Sequence, residues 1–145
     1  MTQKNESLTI EHTIRVRFNE TDALGIVWHG NYLKYFEDGR EAFGRHFGIS
    51  YLEAKKNGYA TPIVKTTTDH KLPLKYGDVA TVETTFVNSR AAKMTFQYKI
   101  KNEAGDVVCT GETIQVFTDL KTETMLFVIP EFFENWKKQH GILNE

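Results

Sequence analysis

From Leu8 to Phe18 the chain alternates: Leu8, Ile10, His12, Ile14, Val16 and Phe18 fall on one side, and Thr9, Glu11, Thr13, Arg15 and Arg17 on the other. A period of two sustained over that length predicts a strand with one buried face. The period then changes. Tyr32, Phe36, Gly39, Phe43 and Phe47 recur every three or four residues and so share one face of a helix, running from about Asn31 to Phe47 and roughly 25 Å long. Asn31 is the expected N-cap, because its side-chain oxygen can accept from an orphan amide of the first turn. Gly39 costs an isolated helix up to about 1 kcal/mol relative to Ala. Its place on the apolar face predicts that something packs hard against the helix there, such as the concave face of a sheet.

After this helix, Ser50 with Glu53 three positions on forms a capping box for a short second helix, which Gly58 can end. Pro62 to Tyr76 reads as extended, bent near Pro73, and Gly77-Asp78 as a turn. Val79 to Val87 is rich in β-formers, and Met94, Phe96, Tyr98 and Ile100 alternate in the next strand, after a connection from Asn88 to Lys93. Asn102 to Asp106 is a hairpin loop. Val107 to Thr118 reads as another long strand and Thr124 to Ile129 as a last one. Pro130 at a first helical position, Lys137, Lys138 and His140 near the end and Gly141 beyond mark a C-terminal helix.

One strand, one long helix and then consecutive strands joined by hairpin-length links predict an α+β chain: an antiparallel sheet with the helix on one face. Strands longer than the usual five or six residues, curling around a single central helix, make the hotdog arrangement. Residues 1–145 form one expected domain. A single helix leaves a sheet face and its edges open, so self-association is expected, as a homodimer or homotetramer.

Composition narrows the function. A net charge of -1 argues against a nucleic-acid module, which would carry a basic excess. No apolar run approaches the roughly 20 residues of a membrane span. The segment Met1 to Ser7 lacks a signal-peptide core, and Cys109 is the one cysteine, so a cytoplasmic setting is expected. Phosphate-cradling glycine loops and Gly-x-Ser-x-Gly are absent. His12, His29, His46, His70 and His140 are dispersed without metal-ligand pairing, and no metal is expected. Cys109, inside a predicted strand, reads as a small buried hydrophobe.

The loop from Glu20 to Asn31 remains. Gly25 and Gly30 permit unusual backbone angles or close approach of a ligand to the main chain. Free amides at the start of the long helix, near His29 to Tyr32, carry partial positive charge suited to an oxyanion. Asp22 lies close enough upstream to fold back over them. A carboxylate, a helix N-terminus and an imidazole are enough parts for acyl-transfer hydrolysis without a serine. Spacing alone leaves the plainer readings open: Asp22 as a turn acid, His29 without a chemical role, Glu37 and Arg40 as an ion pair, Arg90 and Lys93 as solvated loop charges.

The run Asp22-Ala-Leu-Gly-Ile-Val-Trp-His-Gly-Asn-Tyr32, followed by Tyr35-Phe36-Glu37 and Arg40, resembles the hotdog-fold acyl-CoA thioesterases. Within them it is most similar to the 4-hydroxybenzoyl-CoA thioesterase-like group, which includes the Tol-Pal-associated thioesterases. Weaker similarity extends over Pro73 to Val79 and Arg90 to Lys93. The resemblance implies that Asp22 is the catalytic carboxylate, as general base or nucleophile, and that an amide near His29 polarises the thioester carbonyl. It implies that His29 assists catalysis and that Glu37 is the reserve carboxylate. Gly25, Val27, Trp28, Gly30 and Tyr32 become substrate-binding positions, and Arg90 and Lys93 contacts for the phosphates of coenzyme A. Relatives are dimers or tetramers with the coenzyme chain between subunits, and no cofactor is implied because coenzyme A is part of the substrate. The reading from another class is a non-hydrolytic acyl-thioester binding protein using the same groove. Trp28, Tyr32 and Tyr35 leave aryl and aliphatic acyl groups both open.

Overall fold

The computed structural model describes residues 8–142; the leaderless reading of Met1 to Ser7 falls outside them. Strands β1 (Thr9–Arg15), β3 (Ile63–His70), β4 (Val79–Val87), β5 (Lys93–Asn102) and β6 (Val107–Val116) form one antiparallel sheet. Its order is β1-β4-β5-β6-β3, and a two-residue pair, β2 (Tyr59–Ala60) with β7 (Thr118–Asp119), stands apart. Helix α1 (Tyr32–Phe47) crosses one face against β1, β4 and β5. Short α2 (Tyr51–Lys56) and α3 (Glu131–Gln139) complete the chain. This is the hotdog fold: a long antiparallel sheet around one central helix.

The helix buries Tyr32, Tyr35, Phe36, Gly39, Phe43 and Gly44. A Cβ on Gly39 would overlap Thr84 and come within 2.7 Å of Val82 Cγ1, so the glycine leaves room for these two β4 side chains against the helix. Along β4 the side chains alternate: Ala80, Val82, Thr84 and Phe86 are buried beneath α1 while Thr81, Glu83 and Thr85 are half-exposed on the far face. Around Phe43 the core is aromatic, with the Phe47, Phe96 and Trp136 ring centroids 4.6, 5.1 and 6.4 Å away. Trp136 Nε1 donates to Phe47 O at 2.7 Å and Lys137 Nζ to Ser89 O at 2.9 Å, fastening α3 to the far end of α1 and to the β4–β5 connection. Ser50 Oγ accepts from Glu53 N, as the capping pattern anticipates.

Four local expectations are corrected. Phe18 is not on the strand: β1 ends at Arg15, Val16 N donates to Asp78 O, and Phe18 lies 75% exposed in a 3-10 turn, Phe18–Glu20. Asn31 does not cap α1; its backbone is helical within a 3-10 turn, His29–Asn31, and its Nδ2 donates to Glu20 O instead. Pro130 precedes α3 in extended conformation and is not its first residue. Thr124 to Ile129 is not a strand beyond one bridge, Thr118 to Met125. Phe127 and Val128 are left 84% and 78% exposed.

Candidate active site

Asp22 opens a tight turn. Its N–H donates to Ile26 O at 2.8 Å, its carbonyl accepts from Gly25 N at 2.9 Å, and its Oδ1 accepts from Leu24 N at 2.9 Å. Gly25 sits at φ +80°, a left-handed angle that glycine adopts without the Cβ penalty. The turn joins two extended arms, paired through the Thr21–Val27 bridge and Trp28 N to Glu20 O at 3.0 Å. Buried Val27 holds it to the body of the protein, donating to Leu74 O at 2.8 Å, while Ile26 bridges Lys75. Asp22 is therefore half-buried on a braced hairpin, with Oδ1 engaged by its own turn and no partner for Oδ2 among the described residues.

The second arm runs directly into α1. Here the backbone donors can be accounted for one by one. Trp28 N is taken by Glu20 O, Asn31 N by Trp28 O and Tyr32 N by His29 O. The amides of His29 and Gly30 make no such bond to a described residue. A Cβ on Gly30 would overlap the Trp28 ring, which folds back over the start of the helix. The helix N-terminus thus presents two adjacent donors beneath a half-exposed indole.

His29 lies beside Trp28, ring centroids 5.0 Å apart, and 6.4 Å from a residue that periodicity did not single out, His70 at the end of β3. His70 also meets Tyr32 edge-on at 5.0 Å, and its Nδ1 is 4.0 Å from Cys109 Sγ. The signal for His70 is strand register, since it pairs opposite Cys109 and so shares the helix-facing side. Burial pushes the Cys109 thiol up to about 11, which removes it as a nucleophile at neutral pH. Burial likewise raises the Tyr32 phenol, and Tyr35 is raised further by burial and then by its hydrogen bond to Glu20, so both stay protonated.

The remaining expectations sort by position. Gly25 and Val27 lie on the Asp22 hairpin, Trp28 ends its second arm, and Gly30 and Tyr32 stand at the start of the helix side. Glu37 points away, exposed and 3.8 Å from Arg40, which also donates to Tyr98 Oη at 3.0 Å; the pair is an ion pair on the helix. Arg90 and Lys93 are not brought to Asp22 within one chain. They lie in and just after the β4–β5 connection, and β4 runs from Val79 beside the turn to Val87 beside Arg90, roughly 26 Å at about 3.3 Å per residue. Among the described residues no group of His, Cys, Asp and Glu could hold a metal ion, and no helix is long and apolar enough to cross a membrane.

Comparison with known proteins identifies the class as a thioester hydrolase. Residues 16–137 match the Thioesterase-like superfamily, and the chain belongs to it. It is 36% identical over 106 residues to the putative acyl-CoA thioesterase YneP of Bacillus subtilis, covering 73% of this chain and 77% of that one. It is 26% identical over 106 residues to the acyl-CoA thioester hydrolase YbgC of Escherichia coli, covering 73% and 79%. Among solved structures, a DHNA-CoA thioesterase from Staphylococcus aureus superposes with a TM-score of 0.79 at 27% identity, covering 91% of each chain.

Proposed function

We propose that the chain hydrolyses an acyl-CoA to the free acid and coenzyme A, with Asp22 supplying the activated oxygen and the His29 and Gly30 amides receiving the carbonyl oxygen. The observation that carries this reading is the braced Asp22 turn whose second arm runs directly into two helix-start amides that no described residue claims. A thioester carbonyl is already electrophilic. As general base, Asp22 takes a proton from water while the water oxygen bonds to the carbonyl carbon. The resulting oxyanion is held by the amides, and its collapse breaks the C–S bond and releases the thiolate. As nucleophile, Asp22 would form an acyl anhydride that water then opens. The names of YneP, YbgC and the Staphylococcus enzyme support coenzyme A as the carrier.

The distance between Asp22 and Arg90 directs attention to assembly. Strand β3 has one free edge, and only Thr68 of its eight residues is even partly buried. A two-fold pairing across that edge is isologous and antiparallel, so the His70 end of one β3 meets the Ile63 end of the other. It covers the groove of about 810 Å³ lined by Ile49, Tyr51, Leu52, Ile63, Met94 and Phe96. It also brings the partner's Arg90 and the partner's Lys93 to the same end of the joined sheet as Asp22. A dimer thereby reconciles the acid turn with a phosphate contact made by the other subunit. Light scattering at micromolar concentration is expected to give at least a dimeric mass, and a purely monomeric mass would exclude this arrangement.

Replacing Arg90 and Lys93 together by Ala is expected to raise KM for an acyl-CoA several-fold with kcat nearly unchanged, since the contacts would be equal in ground and transition states. Exposed ion contacts are worth about 0.2–1 kcal/mol each and fade with salt, so the effect should shrink at high ionic strength. An unchanged KM at low salt would remove both residues from the site.

A further inference from the structure

We propose that Glu20 is the positioning residue of this site, tying the Asp22 turn to the start of α1 from one buried point; the inference rests on the reading of Asp22 as the catalytic carboxylate. Glu20 is 8% exposed and stands two residues before Asp22. Its main-chain carbonyl accepts from Trp28 N at 3.0 Å and from Asn31 Nδ2 at 2.8 Å. Its Oε1 accepts from Arg17 N at 2.8 Å and from Tyr35 Oη at 2.8 Å. One residue thus holds four donors drawn from the strand exit, the second arm of the hairpin and two positions on the helix side.

Each bond has a separate mechanical consequence. The Trp28 bond fixes the peptide plane immediately before the His29 amide. The Asn31 bond removes Asn31 from its expected capping role and leaves the helix start open for a ligand. The Tyr35 bond anchors the loop to the buried face of α1, where Tyr35 is almost fully enclosed. The Arg17 bond sets the departure from β1 that carries the chain toward Asp22. The distance between the Asp22 carboxylate and the helix-start amides is therefore set through Glu20. A misplacement of about 1 Å between reacting groups can cost on the order of 10²-fold in rate. Glu20 touches neither amide that is left for substrate, and its Oε1 is taken by Arg17 N and Tyr35 Oη, so its part is to position and not to react.

The test compares Glu20→Ala, Glu20→Gln and Tyr35→Phe in the full chain. Glutamine retains an oxygen at the Oε1 position that can accept both bonds. Glu20→Ala is expected to lower kcat by about 10- to 100-fold with KM within twofold, the scale set by misplacement of a reacting group. Glu20→Gln should stay within about threefold of the parent, because geometry and not charge is what Glu20 supplies. Amide hydrogen exchange across residues 20–31 should speed up in Glu20→Ala and not in Glu20→Gln. Should Glu20→Ala fail to fold, Tyr35→Phe removes one donor and keeps the ring; it should lower kcat without raising KM and loosen the same segment. The inference is overturned by parental kcat in the folded Ala variant or in Tyr35→Phe, by a Gln variant as impaired as Ala, or by a loss carried in KM. Asp22→Asn separates the two readings. If Asp22→Asn is inactive while Glu20→Ala keeps its kcat, the positioning role alone falls; if Asp22→Asn is fully active, the catalytic reading falls, and the positioning role with it.

Discussion

Asp22→Asn is expected to lower kcat for acyl-CoA hydrolysis at least about 10²-fold while leaving KM within a few-fold, the low end for loss of a general base. Asparagine keeps the shape of the side chain, and its oxygen can still accept from Leu24 N, so the turn from Asp22 to Ile26 should survive. What is replaced is Oδ2, which accepts from no described residue. The helix-start amides remain, and a single oxyanion donor is worth about 2.7–4 kcal/mol in the transition state, so residual turnover should persist above the uncatalysed rate. His29→Ala separates backbone from imidazole. It should be mild if only the His29 amide acts, and comparable to Asp22→Asn if the ring takes part in proton transfer. Steady-state kinetics on the three proteins makes the comparison.

Phe43→Ala is expected to destabilise the fold by about 3–5 kcal/mol, the range for emptying a buried aromatic site. Phe43 is 0% exposed and joins three layers: its own helix through Phe47, the sheet through Phe96, and α3 through Trp136. The hole would be lined by rigid rings that cannot collapse into it, which favours the upper part of that range. Urea unfolding at fixed protein concentration, so that assembly does not shift the midpoint, measures it. A loss below about 1 kcal/mol would mean that the aromatic cluster repacks freely and that α1 is not pinned at this point.

The elements that could be read from the chain are those whose cause lies within a few residues. Alternation in β1 and β4, the helical stripe through Phe43 and the close approach at Gly39 follow from local period and size. Ser50 caps α2 as its spacing implies. What could not be read depends on a competitor distant in sequence. Asn31 fits the capping rule, but its backbone is already helical and its side chain is turned so that Nδ2 donates to Glu20 O. Phe18 continues the alternation, but Asp78 and Glu20 draw the backbone off the sheet first. Met125 to Ile129 has the composition of a strand, yet among the described residues its strand pairing stops at the single Thr118–Met125 bridge. In the site, Gly25 was legible because turn chemistry is local, whereas the pairing of the two arms around Asp22 was not read from the chain. His70 was not, since only the register of β3 on β6 carries it toward His29. The separation of Arg90 and Lys93 from Asp22 likewise follows from the run of β4, which becomes visible once the strand order is known.

The central claim is that Asp22 and the helix start turn a thioester over and do not merely hold it. The most direct measurement is release of free coenzyme A thiol from a panel of aryl and aliphatic acyl-CoA esters, counted per active site, by the parent protein and by Asp22→Asn. The account predicts many turnovers per site on at least one ester by the parent, and a fall of at least about 10²-fold in Asp22→Asn with substrate binding retained. Tight binding across the panel with no thiol released by the parent, or near-parental turnover by Asp22→Asn, would contradict it: the first outcome makes the groove a binding module, and the second moves the chemistry to another residue.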